Sequence, residues 1–288
     1  MLENSKSIYF IKKLFTFVDE KTKLDIIKYN KNMQNIMDIK LINYKFYSGK
    51  YIMYEENGKG KEYNGYDNRL EFEGEYLNGK RNGKGKEYEF DKIIFEGKYL
   101  SGVRNGKGKE YYFDGELRFE GEYLNGERNG HGKEYYKEGK LQFKGEYLNG
   151  KRNRKGKEYY DNGKIKFEGE YINGQRNGKG KEYDKDGNLL FEGEFLNGQK
   201  WNGKGKEYDK DDNILFEGEY LNGQRNGKGK EYNYNGKLIF EGEYLNGNKW
   251  NGKGKEYNKY GELLFDGEYL NGERNGKGKE YNIFGELK

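Results

Sequence analysis

The chain has 288 residues with no Cys, no Pro, 46 Gly and a net charge of +5. The lack of cysteine excludes disulfides and thiolate metal sites. The charge is unevenly placed: residues 1–46 hold nine Lys against five acids, whereas residues 47–288 hold 46 basic and 45 acidic groups, so the long part of the chain lacks the basic excess of a nucleic-acid binder.

At the N-terminus, MLENSKSIYFIKKLFTFVDE carries a short apolar stretch broken by Lys12 and Lys13. It reads as neither a signal peptide nor a membrane span, and no other segment nears ~18 consecutive apolar residues. The expectation is a cytoplasmic chain, with peripheral membrane association left open. Ile8, Ile11, Leu14, Phe15 and Val18 have helical spacing, as do Leu24, Ile27 and Met33 more loosely. Asp19 or Thr22 is placed to cap a second helix. Residues 1–46 are therefore expected to form a short α-helical cap over the first sheet edge, or an adaptor-like segment.

From residue 47 on, one unit recurs: L-x-F-E-G-E-Y-L-N-G-x-R-N-G-K-G-K-E-Y and a few polar residues. Its first aromatic, taken as position 0, falls at Tyr47, Phe72, Phe95, Phe119, Phe143, Phe167, Phe191, Phe216, Phe240 and Phe265, at intervals of 23 to 25 residues. Around position 0, Leu117, Phe119, Gly121 and Tyr123 alternate with Arg118, Glu120 and Glu122, the period-two pattern of a strand with one buried face. The Lys residues of the second strand, K-G-K-E-Y, are placed to pair across the ladder with the Glu row. Two turns are expected: a tight one at Asp114-Gly115, Asn162-Gly163, Asp186-Gly187 and Asn235-Gly236, and a longer N-G-x-R-N-G loop in which Trp201 and Trp250 are extra residues. Gly at +2, from Gly49 to Gly267, implies close approach by a ring from a neighbouring strand. Burying one Leu, one Phe and one Tyr yields roughly 1.5–3 kcal/mol each, too little to order 24 residues at roughly 1–2 kcal/mol apiece. Stability must come from stacking hairpins.

FEGEYLNGKRNGKGKEY resembles the MORN repeat, and GKEYYDNGKIKFEGEYINGQ its YwqK-type variant, over about residues 47–288. The usual Pro before the Asp-Gly turn is missing, Arg154 stands for Gly at +11 and Tyr54 for Gly at +7. The segment IKKLFTFVDEKTKLDIIKYNKNMQ faintly resembles an F-box-like helical segment. The fold expected is an all-β repeat array: an elongated, twisted antiparallel sheet of about ten tandem β-hairpins, with an axis of about 90–100 Å. The Tyr at +16, such as Tyr88 or Tyr183, has the parity of the buried positions when counted straight. A bulge near Glu87 and its equivalents would turn it to the other face.

Catalytic chemistry finds little purchase. The single His131 stands where most units have Lys, no Ser-His or Cys-His pair can be assembled, and the carboxylates recur identically. The run Asp209–Asn213 reads as a turn in place of a calcium loop, because the downstream Gly is missing and position twelve is Tyr220. No cofactor and no metal is expected. Three features are candidate contacts. Arg81, Arg104, Arg128, Arg152, Arg176, Lys200, Arg225, Lys249 and Arg274 form a basic edge, one per long turn, for protein or anionic lipid. Trp201 and Trp250 lie on the same edge, roughly 19 Å apart. Leu77, Leu100, Leu124, Leu148, Ile172, Leu196, Leu221, Leu245 and Leu270 make a row at +5 suited to a partner or to self-association. The leading expectation is a non-enzymatic scaffold for protein partners. The alternatives are membrane tethering and, from the F-box resemblance, an adaptor with the repeats as substrate-recognition surface.

Overall fold

The computed structural model describes residues 2–27, 30–40, 49–282, 284 and 286–288. The boundary expected at 46/47 and the first aromatic, Tyr47, lie outside the described residues.

Three helices come first: α1 (Leu2–Phe15), α2 (Glu20–Ile27) and α3 (Lys31–Ile36). Asp19 caps α2, its carboxylate accepting from the Thr22 amide at 3.0 Å and from the Thr22 hydroxyl at 2.6 Å. Asn30 caps α3 through the Met33 amide. Leu24 and Ile27 are buried, and the Gln34 amide donates to the Ile27 carbonyl.

Twenty described strands then form one antiparallel sheet. They are β1 (Lys50–Tyr54), β2 (Lys59–Asn64), β3 (Leu70–Leu77), β4 (Lys80–Glu89), β5 (Lys92–Leu100), β6 (Val103–Tyr111), β7 (Leu117–Leu124), β8 (Glu127–Tyr135), β9 (Leu141–Leu148) and β10 (Lys151–Tyr159). They continue as β11 (Ile165–Ile172), β12 (Gln175–Tyr183), β13 (Leu189–Leu196), β14 (Gln199–Tyr208), β15 (Ile214–Leu221), β16 (Gln224–Tyr232), β17 (Leu238–Leu245), β18 (Asn248–Tyr257), β19 (Leu263–Leu270) and β20 (Glu273–Glu280). The chain divides into two compact units, residues 1–118 with 123–126 and residues 119–122 with 127–288.

The two turns are the reverse of the sequence expectation. Ile172 pairs directly with Gln175, so Asn173-Gly174 is a two-residue turn with both residues left-handed, at φ 52° and 87°. That is the hairpin turn whose twist matches the strands. The R-N-G-K-G that follows runs on as strand. The Asn162-Gly163 turn is the wider one: the Tyr160 amide bonds the Lys164 carbonyl, and Gly163, at φ 83°, closes a three-residue loop by donating to the Tyr160 carbonyl.

The common hairpin has one register and two irregularities. In β11·β12, Phe167 faces Glu182, Glu168 faces Lys181, Gly169 faces Gly180, and Tyr171 faces Arg176. The register slips between Gly169 and Tyr171, where Asn177 and Gly178 are accommodated. Between hairpins, Glu182 faces Phe191 but Tyr183 faces Leu189, leaving Leu190 as the extra residue. The irregularity anticipated near Glu87 is there too, between Glu87 and Tyr88, opposite Ile94.

This bulge corrects the face assignment. Residues directly opposed in a ladder share a face, so the Glu at +15 lies with the Phe. The Tyr at +16 and the Leu at −2 lie on the Lys/Glu face. The Tyr88 hydroxyl accordingly donates to Glu73 at 2.5 Å and that of Tyr183 to Glu168 at 2.9 Å.

The first hairpin also departs from expectation. Ile52 faces Glu62 and Tyr54 faces Gly60, so Ile52 takes the Phe place and Tyr54 the +2 place, not Gly49. The two Trp hairpins differ in another way. Phe191 faces Gly205 and Phe240 faces Gly254, where other hairpins put Glu. Trp201 and Trp250 are bulge residues within β14 and β18, not loop insertions.

Candidate interaction surface

On the Phe face each unit closes over itself. Phe143 and Phe167 are fully buried. Tyr171 stands edge-on to both, at 5.4 Å and 5.5 Å between centroids, and the pattern continues with Phe195 at 5.0 Å from Phe167. The glycines permit it. A Cβ on Gly169 would lie 2.6 Å from the Phe167 ring and 2.7 Å from Gly180 Cα, and one on Gly180 would lie 2.5 Å from the same ring. The visiting ring thus comes chiefly from the same hairpin.

Arginine forms the outer layer. The Arg176 guanidinium lies 4.4 Å over the Phe167 ring. It donates to Glu158 of the preceding unit at 2.6 Å and to Glu182 of its own at 2.7 Å. Glu158 also accepts from the Tyr171 hydroxyl at 2.8 Å and pairs with Arg152 at 3.4 Å. Phe, Tyr, Arg and Glu therefore make a ladder that links one hairpin to the next. The +15 Glu was the functional partner that parity counting missed; its recurrence six residues after each +9 Arg was the available signal.

These contacts set the protonation states. Burial pushes the Glu158 carboxyl up, but the hydrogen bond and charge of Arg176 outweigh it and hold the group below the ordinary carboxylate range. Glu87 is held down by Arg104 in the same way, again against burial. Burial, and then the neighbouring carboxylates, push the Tyr99 and Tyr171 phenols upward.

The basic row expected as a solvated turn edge is thus strand-borne and spent internally. In the first unit Arg81 joins Glu62 to Glu87, and Arg104 binds Glu87. In the second unit Arg128 pairs with Glu134, Arg152 with Glu134 and Glu158, Arg225 with Glu207, and Arg274 with Glu256 and Glu280. Lys200 and Lys249 take the same place in the Trp hairpins, reaching Glu182 at 3.2 Å and Glu231 at 3.0 Å. A guanidinium can bridge two carboxylates; a Lys ammonium is a single point charge.

Trp201 and Trp250 are half-buried. Each ring packs on the turn glycine of the next hairpin, with its six-membered ring 3.7–3.9 Å from where a Cβ on Gly223 or Gly272 would sit. Their carbonyls accept from those same glycine amides at 2.9 Å, as the Arg176 carbonyl does from Gly198. They fold over the neighbouring hairpin.

The opposite face is the open one. There Lys157 meets Glu168 at 2.8 Å and Lys181 meets Glu192 at 3.0 Å, the cross-strand pairing expected from the sequence. Across β14 to β17 a groove of about 580 Å3 runs over a floor of Gly205, Gly218, Gly229 and Gly242. Its banks are Lys204, Glu219, Lys228 and Glu243 on one side and Lys206, Glu217, Lys230 and Glu241 on the other. The +5 row borders this face, with Leu148, Ile172, Leu221 and Leu270 each about half exposed. Asp209 spends its carboxylate on the amides of Asp211 and Asn213 within its own turn.

Comparison with known proteins agrees with this architecture. The MORN repeat model matches residues 72–88, 119–140, 167–189, 191–214, 216–237 and 265–282, and the MORN repeat variant matches residues 104–125 and 155–173. The chain belongs to the MORN-repeat family. The six matches to the MORN repeat each begin at a buried position-0 Phe. No curated relative matches the sequence. Among solved structures, S. aureus TarM in complex with fondaparinux, α-GlcNAc-glycerol and UDP is similar at 10% identity and a TM-score of 0.27, over 38% of this chain and 23% of that one. TcdB2-TccC3 is similar at 10% identity and a TM-score of 0.22, over 80% of this chain. The MORN chain spans 15% of TcdB2-TccC3. Among the described residues no helix is long and apolar enough to cross a membrane.

Proposed function

We propose that this MORN-repeat chain is a non-enzymatic scaffold that binds protein partners along the Lys/Glu face of its sheet. The observation that carries the reading is the asymmetry of the two faces. One is sealed by its own Phe, Tyr, Arg and Glu side chains. The other carries a glycine-floored groove between Lys–Glu banks across β14 to β17, with an exposed Leu or Ile at the hairpin shoulders from Leu77 to Leu270. A periodic surface offers the same contact many times, so modest local affinities add through effective concentration. Catalysis, by contrast, needs a group in an environment unlike its neighbours.

The test is a pull-down from host extract with the full chain and with a triple variant, L196E/L221E/L245E. These side chains are 38–47% exposed, so the fold tolerates the change. Partners captured by the full chain should be lost or weakened at least tenfold by the triple variant. Undiminished capture would remove this face from the reading.

A further inference from the structure

We infer that helix α1 docks on an anionic lipid surface, which would hold the scaffold at a membrane independently of its repeats. The helix carries more apolar surface than the fold uses. At 100° per residue, Ile11, Phe15 and Val18 share one arc and are half-buried. Phe10, Leu14 and Phe17 share the adjoining arc and are 64%, 51% and 81% exposed. Phe17 follows the end of α1 but keeps its helical course, since the amides of Thr16, Phe17 and Val18 bond back three residues to Lys13, Leu14 and Phe15. Tyr9, on the flank of this stripe, is 67% exposed.

The neighbouring charges select the occupant. Lys13 is exposed at the edge of the stripe, one residue position round from Phe17, and Lys12 is exposed on the far side of the helix; among the described residues neither is drawn into an ion pair. Residues 1–46 also carry most of the chain's net positive charge, nine Lys against five acids. The +9 arginines of the sheet, such as Arg176, are spent on glutamates, whereas α1 combines an exposed apolar stripe with unspent positive charge. An aromatic and aliphatic stripe with one lysine at its edge and another on the far side is the make-up of a helix lying in a bilayer interface, its rings among the acyl chains and its ammonium groups toward anionic headgroups. A single short helix of this kind binds reversibly, so the contact depends on both the apolar and the electrostatic contribution.

The experiment is co-sedimentation of the full chain with phosphatidylcholine vesicles, with and without 30 mol% phosphatidylserine, at low and physiological salt. Three variants accompany it: F10S/L14Q/F17S, K12E/K13E and F10W. The changed positions are exposed, and thermal unfolding of each variant checks that the fold is intact. The parent chain should sediment with the anionic vesicles and release them as salt rises. The apolar triple variant should lose at least tenfold in partitioning. K12E/K13E should lose most binding to the anionic vesicles. F10W, read against the two native Trp, should gain a blue-shifted emission that brominated lipid quenches. Three results would each overturn the assignment: no sedimentation of the parent at low salt, undiminished binding by the triple variant, or F10W emission unchanged by vesicles. Loss of protein capture by the triple variant, without vesicle binding by the parent, would assign the stripe to a protein groove and overturn the lipid surface as its occupant. Loss of the scaffold reading would leave these vesicle results untouched, because that reading is tested at Leu196, Leu221 and Leu245.

Discussion

Arg154 holds a left-handed backbone, at φ 56°, where Gly83, Gly106, Gly130, Gly178, Gly227 and Gly276 stand in other units at φ 89–98°. Its guanidinium reaches Glu146 at 3.6 Å and is largely exposed, so the ion pair offsets little of the backbone strain. A left-handed conformation costs a non-glycine residue about 1–2 kcal/mol, against about 0.5–1 kcal/mol for the extra unfolded-state entropy of glycine. Arg154→Gly should therefore stabilise the protein by about 0.5–1 kcal/mol, read as a higher midpoint in urea unfolding. Gly169→Ala should act in the other direction. Its Cβ would meet backbone at 2.7 Å on both Gly180 and Lys179, which cannot swing away, so a loss of about 1–3 kcal/mol is expected in the same assay. Glu158→Gln keeps the shape but removes the charge shared by Arg152, Arg176 and Tyr171. It should cost about 1.5–3 kcal/mol, whereas Glu192→Gln on the open face should cost well under about 1 kcal/mol. Equal effects at the two sites would contradict the distinction drawn between the faces.

At the scale of the hairpin, two of the three 25-residue spacings, those from Phe191 and from Phe240, have a structural cause. The extra Trp201 slides β13·β14 so that Phe191 faces Gly205, while β14·β15 keeps the ordinary register with Glu207 facing Phe216. Asn202 repairs the slip: its amide donates to Glu194 at 2.9 Å and its carbonyl oxygen accepts from the Asn222 amide. In an ordinary hairpin the corresponding Glu170 accepts from the Lys179 amide. Deleting Trp201 together with Lys200→Arg should restore the common register, bringing Glu207 opposite Phe191 and the new guanidinium over the Phe191 ring. Amide exchange at Lys204 and Lys206 would report the changed pairing. Unaltered protection there would show that the register is imposed by the neighbouring hairpins and not by the insertion.

For the molecule as a whole, the buried ladder makes stability a function of pH at both ends. Glu62, Glu87, Glu158, Glu207 and Glu256 are held below the ordinary carboxylate value of 4.5. A lowered folded-state value adds stability that is complete above the unfolded value and is lost as pH falls through the folded one. The tyrosines have the opposite sign: burial raises Tyr183 and Tyr232 to about 12 and others further. Their contribution is complete below the ordinary phenol value of 10.0 and is lost as pH rises toward the raised ones. The urea midpoint should thus be flat across neutral pH, fall below about pH 4.5 and fall again above about pH 10. Because the same ladder recurs in successive hairpins, the acid transition should be steep, and Glu158→Gln should flatten it. A midpoint independent of pH down to 3 would contradict the ladder.

Sequence alone determined the hairpin as the building block, its period, its family and the Lys–Glu pairing of the open face. Each follows from short-range pattern: Leu117 to Tyr123 alternate cleanly, and Lys181 and Glu192 sit at fixed offsets in units repeated in register. Only the tertiary structure decided which Gly turn is tight, where Tyr183 and Glu182 point and what the +9 arginines do. The reason is that side-chain parity holds only while a strand stays in register. Outside the first hairpin, whose β1·β2 register is unbroken, units such as Phe167–Tyr183 break register once within the hairpin and once between hairpins. A bulge belongs to a pair of strands and not to either sequence, so counting by twos goes astray at Leu190 and again at Gly178. Those two slips carry Glu182 under the arginines and turn what reads as a solvated basic edge into the outer layer of the core.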